Sequence, residues 1–254
     1  MQYISLFLSR LSFCLLIFVT SSGLASPNII IPGPPDFCEL RLSKKRQLLE
    51  GPHGQRLILP KSETLTSWKD VTEISFGVYN VFNLEVHGGK YIENPETGIV
   101  EQVAGAFQKP EAQIKEIAEI IDREDPDVLV LIEVEGEAAL RKYVQEYHGS
   151  KYRYLILRGN DTRGIDIGFL VKRDLPYILD LQSFKNLKTQ YRGQEVPVFS
   201  RDFPVLSFWL EGTEAPLMSL AGIHNKSQRD AKGDPRSEDR RKMQVDKGMD
   251  IYAA

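Results

Sequence analysis

Cysteine is scarce in this 254-residue chain, which contains only two. So few thiols exclude the dense disulfide framework on which many small secreted domains depend. An excess of positive charge is also lacking, because 32 lysines and arginines face 35 aspartates and glutamates and the formal net charge is −3. This balance excludes a protein that clamps nucleic acid with its whole surface, although it leaves room for a local basic groove.

Apolar residues are not lacking, since they make up 42% of the chain and suffice for a core. The length fits one large domain or two small ones. The first 25 residues have the pattern of a targeting segment: Arg10 precedes an apolar stretch at 11–19 that is short for a membrane span, and small residues lead to Ala25. We therefore predict a signal peptide over residues 1–25, with an uncleaved anchor as the alternative.

Cleavage after Ala25 would make the protein secreted or periplasmic, with no stable membrane association. We expect the protein to be a monomer. It would also leave Cys38 as the single cysteine, which excludes an intrachain disulfide. We expect Cys38 to be a partly buried small apolar residue. An intermolecular bridge or a reactive thiol is the alternative.

After the predicted signal peptide, the chain has two segments that differ in composition. Residues 26–71 begin with a proline-rich lead and continue without helical or strand periodicity, so we expect them to be irregular. Residues 72–254 are patterned as a folded domain. Its first strand is predicted at 73–79, a long loop at 80–101, and a helix after Pro110. The apolar spacing of that helix comes from Ile114, Ile117, Ala118 and Ile121.

The later pattern alternates again. A continuous apolar run at 128–132 predicts a strand covered on both faces, and 137–147 predicts a helix. Strands are predicted at 152–157, 165–171, 203–210 and 217–223, and a last helix at 236–251. This order indicates an α/β protein in which two sheets pack on each other as a sandwich with helices outside.

Polar side chains follow two of the apolar strands. Glu133 comes directly after residues 128–132, and Asn80 follows the strand at 73–79. A carboxylate suits a hard divalent cation, and an amide can donate to a phosphate oxygen. The alternatives are a helix N-terminal charge for Glu133 and an ordinary turn residue for Asn80.

A histidine, a lysine and an arginine complete the set of candidates. His224 ends the strand at 217–223 and could protonate a leaving oxygen or stabilise a pentacovalent phosphorus, while Lys226 adds positive charge for phosphate. Arg163 could form a fork with phosphate, and Asp166 could orient a partner group. The alternatives are a structural histidine and an Arg–Asp pair that fixes a loop.

These segments together resemble the endonuclease/exonuclease/phosphatase superfamily, which includes pancreatic-type deoxyribonuclease, abasic-site endonucleases and neutral sphingomyelinases. Residues 79–84, Tyr-Asn-Val-Phe-Asn-Leu, resemble its first motif with Asn80 as the strand-end asparagine. Residues 127–134 resemble its metal-binding glutamate motif, with Glu133 as the ligand and Ile132 in place of the usual glutamine. Residues 163–170 resemble its Arg-Gly-Ile-Asp strand, and residues 224–227 its His-x-Lys-Ser motif.

The resemblance implies a deoxyribonuclease-like sandwich and an exported, metal-dependent phosphodiesterase, foremost a nuclease. Its cofactor would be Mg²⁺, with Mn²⁺ or Ca²⁺ as alternatives. Its substrate would be nucleic acid or another phosphodiester. His224 and Asn80 would be catalytic, Arg163 and Lys226 would bind the substrate phosphate, and Glu133 would bind the metal.

The family's Gly-Asp-Phe-Asn motif and its terminal Asp-His pair are not found among the 254 residues. Residues 233–236, Gly-Asp-Pro-Arg, precede a predicted helix and so do not match the former. We therefore expect a second half that is incomplete and a chain with little activity of its own. A non-catalytic exported binding module on the same scaffold, or a phospholipid or phosphoester hydrolase, is the alternative.

Overall fold

The computed structural model describes residues 6–8, 17–20, 45–62, 67, 69, 71–85, 90–93, 100–103, 109–228 and 233–253. The chain forms two compact units. The first unit takes residues 1–12 and 62–176, and the second unit takes residues 13–61 and 177–254.

Fifteen strands and three α-helices are present in the described parts of the chain. The strands are β1 (Leu6–Leu8), β2 (Ile17–Thr20), β3 (Gln47–Gly51), β4 (Gly54–Leu59), β5 (Phe76–Leu84), β6 (Lys90–Glu93), β7 (Val100–Val103), β8 (Val128–Val134), β9 (Tyr152–Ile156), β10 (Asp166–Lys172), β11 (Ile178–Gln182), β12 (Lys188–Tyr191), β13 (Gln194–Pro197), β14 (Val205–Trp209) and β15 (Met218–Ala221). The helices are α1 (Glu111–Glu124), α2 (Gly136–Tyr143) and α3 (Glu238–Ala253).

The first unit contains a five-stranded sheet in the order β1-β5-β8-β10-β9. Strands β1, β5 and β8 are parallel, whereas β10 and β9 run antiparallel to their neighbours. Helix α1 begins after Pro110 and ends at Asp125, which has a left-handed φ of 45° and is followed by Pro126. The predicted apolar spacing of this helix is confirmed, since Ile114, Ile117, Ala118 and Ile121 are all buried.

One face of this sheet packs against α1 and α2. The cluster joins strand residues such as Leu129 and Leu131 to Ile117 of α1 and Leu140 of α2. A π-helical turn, Val144–His148, continues α2 and adds Val144 to the same core. None of the described helices is long and apolar enough to cross a membrane.

The second unit contains a six-stranded antiparallel sheet in the order β2-β15-β14-β11-β4-β3. Helix α3 follows a 3-10 turn, Pro235–Ser237, and packs Ile251 into an aromatic cluster with Phe184, Phe199 and Phe203. The described part of the chain is thus of mixed α/β structure, with two larger sheets, two separate hairpins and few helices.

Two expectations of irregular structure are wrong. Residues 47–59, within the expected irregular segment, form the hairpin β3–β4, whose turn at 51–54 ends with Gly54 at a φ of 145°. Residues 80–101 are not one loop, because β5 continues to Leu84 and β6 pairs with β7. Both segments contain many turn-forming residues, so the sequence indicated loops there. The short strands that are present are stabilised by pairing with their neighbours in the sheets.

The predicted signal peptide contains two short strands, β1 and β2, which lie at the edges of the two sheets. The rest of residues 1–25 lies outside the described residues, as do Cys14 and Cys38. Cleavage after Ala25 and the role of Cys38 therefore stay predictions.

Candidate functional site

Three adjacent strands of the first sheet, β5, β8 and β10, bring candidate residues to the same end of the sheet. The parallel strands β5 and β8 end there, and β10 begins there. In register, Asn80 lies opposite Ile132, and Val134 lies between Leu84 and Asp166. Because neighbouring strands lie about 4.8 Å apart, Asn80, Glu133 and Asp166 belong to one short stretch of this end of the sheet.

Glu133 is the extra residue of a β-bulge in β8. The partners Ile132 and Val134 face the consecutive residues Ile167 and Asp166 of β10, so Glu133 has no counterpart there. Its φ is +69°, a left-handed conformation that costs about 1–2 kcal/mol for a residue with a Cβ. The bulge turns a carboxylate into a half-buried position at the edge of an otherwise buried strand.

Strand β5 is also irregular, at the positions opposite Glu133. Between Asn80 and Leu84, three residues of β5 stand opposite the single residue Glu133. Phe82 and Asn83 both have left-handed φ angles, 50° and 57°. Three of the seven non-glycine residues with positive φ in the described chain, Phe82, Asn83 and Glu133, thus lie at this paired irregularity of β5 and β8. Backbone strain of this kind often accumulates at functional sites.

The carboxamide of Asn80 holds this irregular turn. Its Oδ1 accepts a hydrogen bond of 2.9 Å from the backbone N–H of Phe82. This bond identifies Oδ1 as the acceptor end, so Nδ2 is the end that could donate to an anion. One side chain can therefore serve both expected roles: Oδ1 of Asn80 stabilises the turn, and Nδ2 can donate to a phosphate oxygen.

Two cations lie within electrostatic reach of Glu133. Burial lowers the pKa of the half-buried Lys109, while the Glu133 carboxylate opposes that change. The pKa of Arg163 is raised, mainly by its hydrogen bonds to Asp161 and further by Glu133. The carboxylate predicted to bind metal thus sits beside positive charge that suits an anionic substrate.

Arg163 is the predicted phosphate ligand, and its guanidinium already faces an acid. Its Nε and Nη2 donate to the two oxygens of Asp161 at 3.1 and 3.0 Å, and its side chain remains 57% exposed. The alternative of an Arg–Asp pair that fixes the loop describes this contact, although the partner is Asp161 and not Asp166. Phosphate binding by Arg163 would require exchange of one partner for another.

Asp166 stabilises the loop that carries Arg163. Its buried carboxylate accepts from the backbone N–H of Gly159 at 2.8 Å and from Nη1 of Arg158 at 3.2 Å. Burial raises the pKa of Asp166 to about 6, against the lowering effect of Arg158. The partner group that Asp166 orients is therefore this loop.

The remaining candidates lie in the second unit, just after β15. Ile223 is buried, His224 is half-buried and Lys226 is exposed. The carbonyls of His224 and Asn225 both accept from Nη1 of Arg201, at 3.3 and 2.9 Å. Since Arg201 is only 6% exposed, a buried cation fixes the backbone at the predicted catalytic histidine.

Two acids near these candidates have structural partners. Asp202 is buried and accepts from the Ser183 hydroxyl and from the backbone N–H groups of Phe184 and Phe203. Asp234 accepts from the Tyr191 hydroxyl and from the backbone N–H groups of Asp239 and Arg240 at the start of α3. Asp234 therefore stabilises the N-terminus of α3.

The candidate oxygen ligands at the ends of β5 and β8 can be compared with the coordination that Mg²⁺ requires. Among the described residues, no three histidine, cysteine, aspartate or glutamate side chains are grouped to hold a metal. Mg²⁺ nevertheless keeps several waters and commonly takes one or two carboxylates plus substrate phosphate. Glu133, half-buried beside Asn80, offers one suitable carboxylate, so the oxygen donors fit a largely hydrated ion.

Two residues of these sites were not predicted from the sequence. Lys109 belongs to no motif, and only its position before Pro110 could have drawn attention to it. Arg201 lies 23 residues before His224, so its bonds to the His224 segment depend on tertiary packing and have no local signal in the sequence.

In comparisons with known proteins, no protein-family model matches this chain, and no curated protein matches it.

Proposed function

We propose that this protein is an exported, metal-dependent phosphodiesterase, foremost a nuclease, with a deoxyribonuclease-like sandwich fold. The proposal rests on the group of residues at the ends of the neighbouring strands β5 and β8 of the first sheet. There, Asn80 and the bulged Glu133 occupy neighbouring positions on parallel strand ends, with Lys109 and Arg163 in electrostatic reach of the carboxylate. Strand ends of this kind commonly collect ligands in α/β proteins.

Each residue has a role that follows from its chemistry. Glu133 would hold Mg²⁺, which when bound supplies positive charge to the phosphate oxygens. Nδ2 of Asn80 would donate to a phosphate oxygen, and Lys109 and Arg163 would add charge for the anion. His224 would give a proton to the leaving oxygen, and Lys226 would bind phosphate from the same segment.

The test of the metal assignment is a Mg²⁺ titration followed by NMR. Glu133→Gln should weaken Mg²⁺ binding at least tenfold, because the amide removes the negative charge at an unchanged size. Glu137→Gln is the matched control, since Glu137 is an exposed glutamate in the first turn of α2. Equal affinity of wild type and Glu133→Gln would contradict the proposal.

Turnover then separates the two candidate functions. Bis(p-nitrophenyl) phosphate, DNA and a phospholipid serve as substrates, with Mg²⁺ or with saturating chelator. Mg²⁺-dependent hydrolysis lost in His224→Ala, by about 10²–10⁴-fold, supports the enzyme. Hydrolysis that survives the chelator would contradict it.

The second candidate is a non-catalytic binding module on the same scaffold. It is favoured by the bonds that the predicted phosphate ligand Arg163 already makes to Asp161, and by the structural bonds that occupy Asp234. Binding of Mg²⁺ and phosphodiester without turnover above background would support this candidate. The phospholipid arm of the same assay distinguishes a lipid phosphodiesterase from a nuclease.

A further inference from the structure

Helix α3 carries a buried polar side chain on the face that packs against the rest of the second unit. Gln244 is 1% exposed, and it lies one turn before Gly248 and two turns before the buried Ile251. Gly248 allows the helix to lie close, because a Cβ at this position would come within 2.9 Å of the Phe203 ring. Burial of an amide is costly unless hydrogen bonds compensate, so the partners of Gln244 explain its presence.

Those partners belong to two separate segments. Oε1 of Gln244 accepts from the backbone N–H of Lys226 at 2.9 Å. Nε2 donates to the carbonyl of Val198 at 3.2 Å and to the Ser200 hydroxyl at 3.1 Å. Both amide hydrogens and one acceptor lone pair are thus used, which is close to the full capacity of the side chain.

A second buried side chain, Arg201, bonds the same segment. It lies next to Ser200 in sequence and donates to the carbonyls of His224 and Asn225. The segment 224–226 is therefore held at its carbonyls by Arg201 and at an N–H by Gln244. Three consecutive residues that include His224 and Lys226 cannot shift without loss of part-buried hydrogen bonds to two buried side chains.

We propose that Gln244 is a positioning residue that sets the location of the His224 imidazole and the Lys226 ammonium. This inference rests on the function proposed for His224. An apolar side chain of the same size would fill the space equally well but would leave the Lys226 N–H and the Val198 carbonyl without this partner. The polar residue is therefore explained by control of the segment's geometry more than by burial.

NMR on the whole chain tests this role. Gln244→Met keeps the length and volume of the side chain and removes its hydrogen bonds. We expect amide hydrogen exchange at Lys226 to be about tenfold faster, which corresponds to one ordinary hydrogen bond. We also expect displaced imidazole signals of His224, which can be assigned among four histidines by comparison with His224→Ala.

Val245→Ala is the matched control, because Val245 packs part-buried on the same aromatic cluster and makes no bond to the segment 224–226 through its side chain. It should lower stability without a change at Lys226 or His224. The proposal is overturned if Gln244→Met leaves both readouts at wild-type values, or if Val245→Ala reproduces its effects.

A second variant covers the case in which Gln244→Met does not fold. Gln244→Glu retains an acceptor for the Lys226 N–H and removes both donors, so Lys226 should stay protected from exchange. Fast exchange at Lys226 in this variant would overturn the proposal.

Dimethyl phosphate with Mg²⁺ serves as the ligand probe. If the wild-type His224 signals do not respond to it, the proposed function fails, while the exchange and imidazole results still decide the positioning role.

Discussion

The two strand ends that carry the candidate residues hold their side chains in different ways. At the end of β8, Glu133 is placed by strained backbone, with left-handed φ angles at Glu133 and at Phe82 and Asn83 in the neighbouring strand. After β15, the segment that carries His224 is held by two buried polar side chains: Arg201 bonds the carbonyls of His224 and Asn225, and Gln244 accepts from the N–H of Lys226. Strain stores energy at the first site, whereas hydrogen bonds stabilise the second, so substitutions should affect stability with opposite signs.

The largest effect is expected where the buried support is removed. Arg201→Met should lower the free energy of unfolding by about 3–4 kcal/mol, because two part-buried carbonyls lose a buried, charged donor. Urea denaturation measures the change. Arg123→Met is the control, since Arg123 forms an exposed ion pair with Glu124 and its loss should cost less than about 1 kcal/mol. Equal losses in the two variants would remove the proposed contrast between the strand ends.

A smaller effect is expected from pH, through Asp166. Burial raises the pKa of this carboxyl from 3.8 to about 6, so the folded protein keeps a proton that the unfolded chain releases. Stability from this group is therefore fully present below about pH 4 and is lost as pH rises through 6, by on the order of 2–3 kcal/mol.

Urea denaturation of wild type and Asp166→Asn at pH 4, 5, 6 and 7 checks the sign. The wild type should lose stability relative to Asp166→Asn across this window. Asp174→Asn, at an exposed aspartate, is the control and should follow the wild type. A difference between wild type and Asp166→Asn that grows in favour of the wild type as pH rises would contradict the expected sign.

The smallest effect tests the strain itself. Glu133→Gly should raise the free energy of unfolding by about 1 kcal/mol, because glycine adopts a positive φ without steric cost. The same variant should lose Mg²⁺ affinity, which is the expected exchange of stability against function. Phe82→Gly is the matched variant: it relieves similar strain at a 64% exposed residue and should leave Mg²⁺ binding unchanged. Destabilisation by both glycines would show that the strain has no energetic weight.

Periodic elements could be predicted from the sequence, and irregular ones could not. The helix after Pro110 and the strand at 128–132 are confirmed because their apolar spacing is determined by the core they enter. The hairpin β3–β4 was missed because its strands are short and Gln47–Gly51 alternates between half-buried and exposed residues. Its stability comes from pairing with β11, which lies more than a hundred residues away.

The candidate site shows the same limit. The sequence indicates that Glu133 and Asn80 follow strands, but a left-handed glutamate has no local signal, since glycine and asparagine are the residues that favour this conformation. The partner of Arg163 is Asp161, two residues away, and a short loop decided that choice. The hydrogen bond that the Lys226 N–H donates to Gln244 joins residues 18 apart through tertiary packing, which no pattern in the sequence encodes.

The bulge at Glu133 also changes the parity of β8. Leu129 and Leu131 belong to the helix-side core, yet the next member is Val134, an even-numbered position. A strand without residue 133 would place Val134 two positions after Leu131 and restore strict alternation. The carboxylate thus occupies an insertion that the core does not need, and a single-codon deletion should remove the proposed metal ligand while the sheet keeps its inward and outward faces.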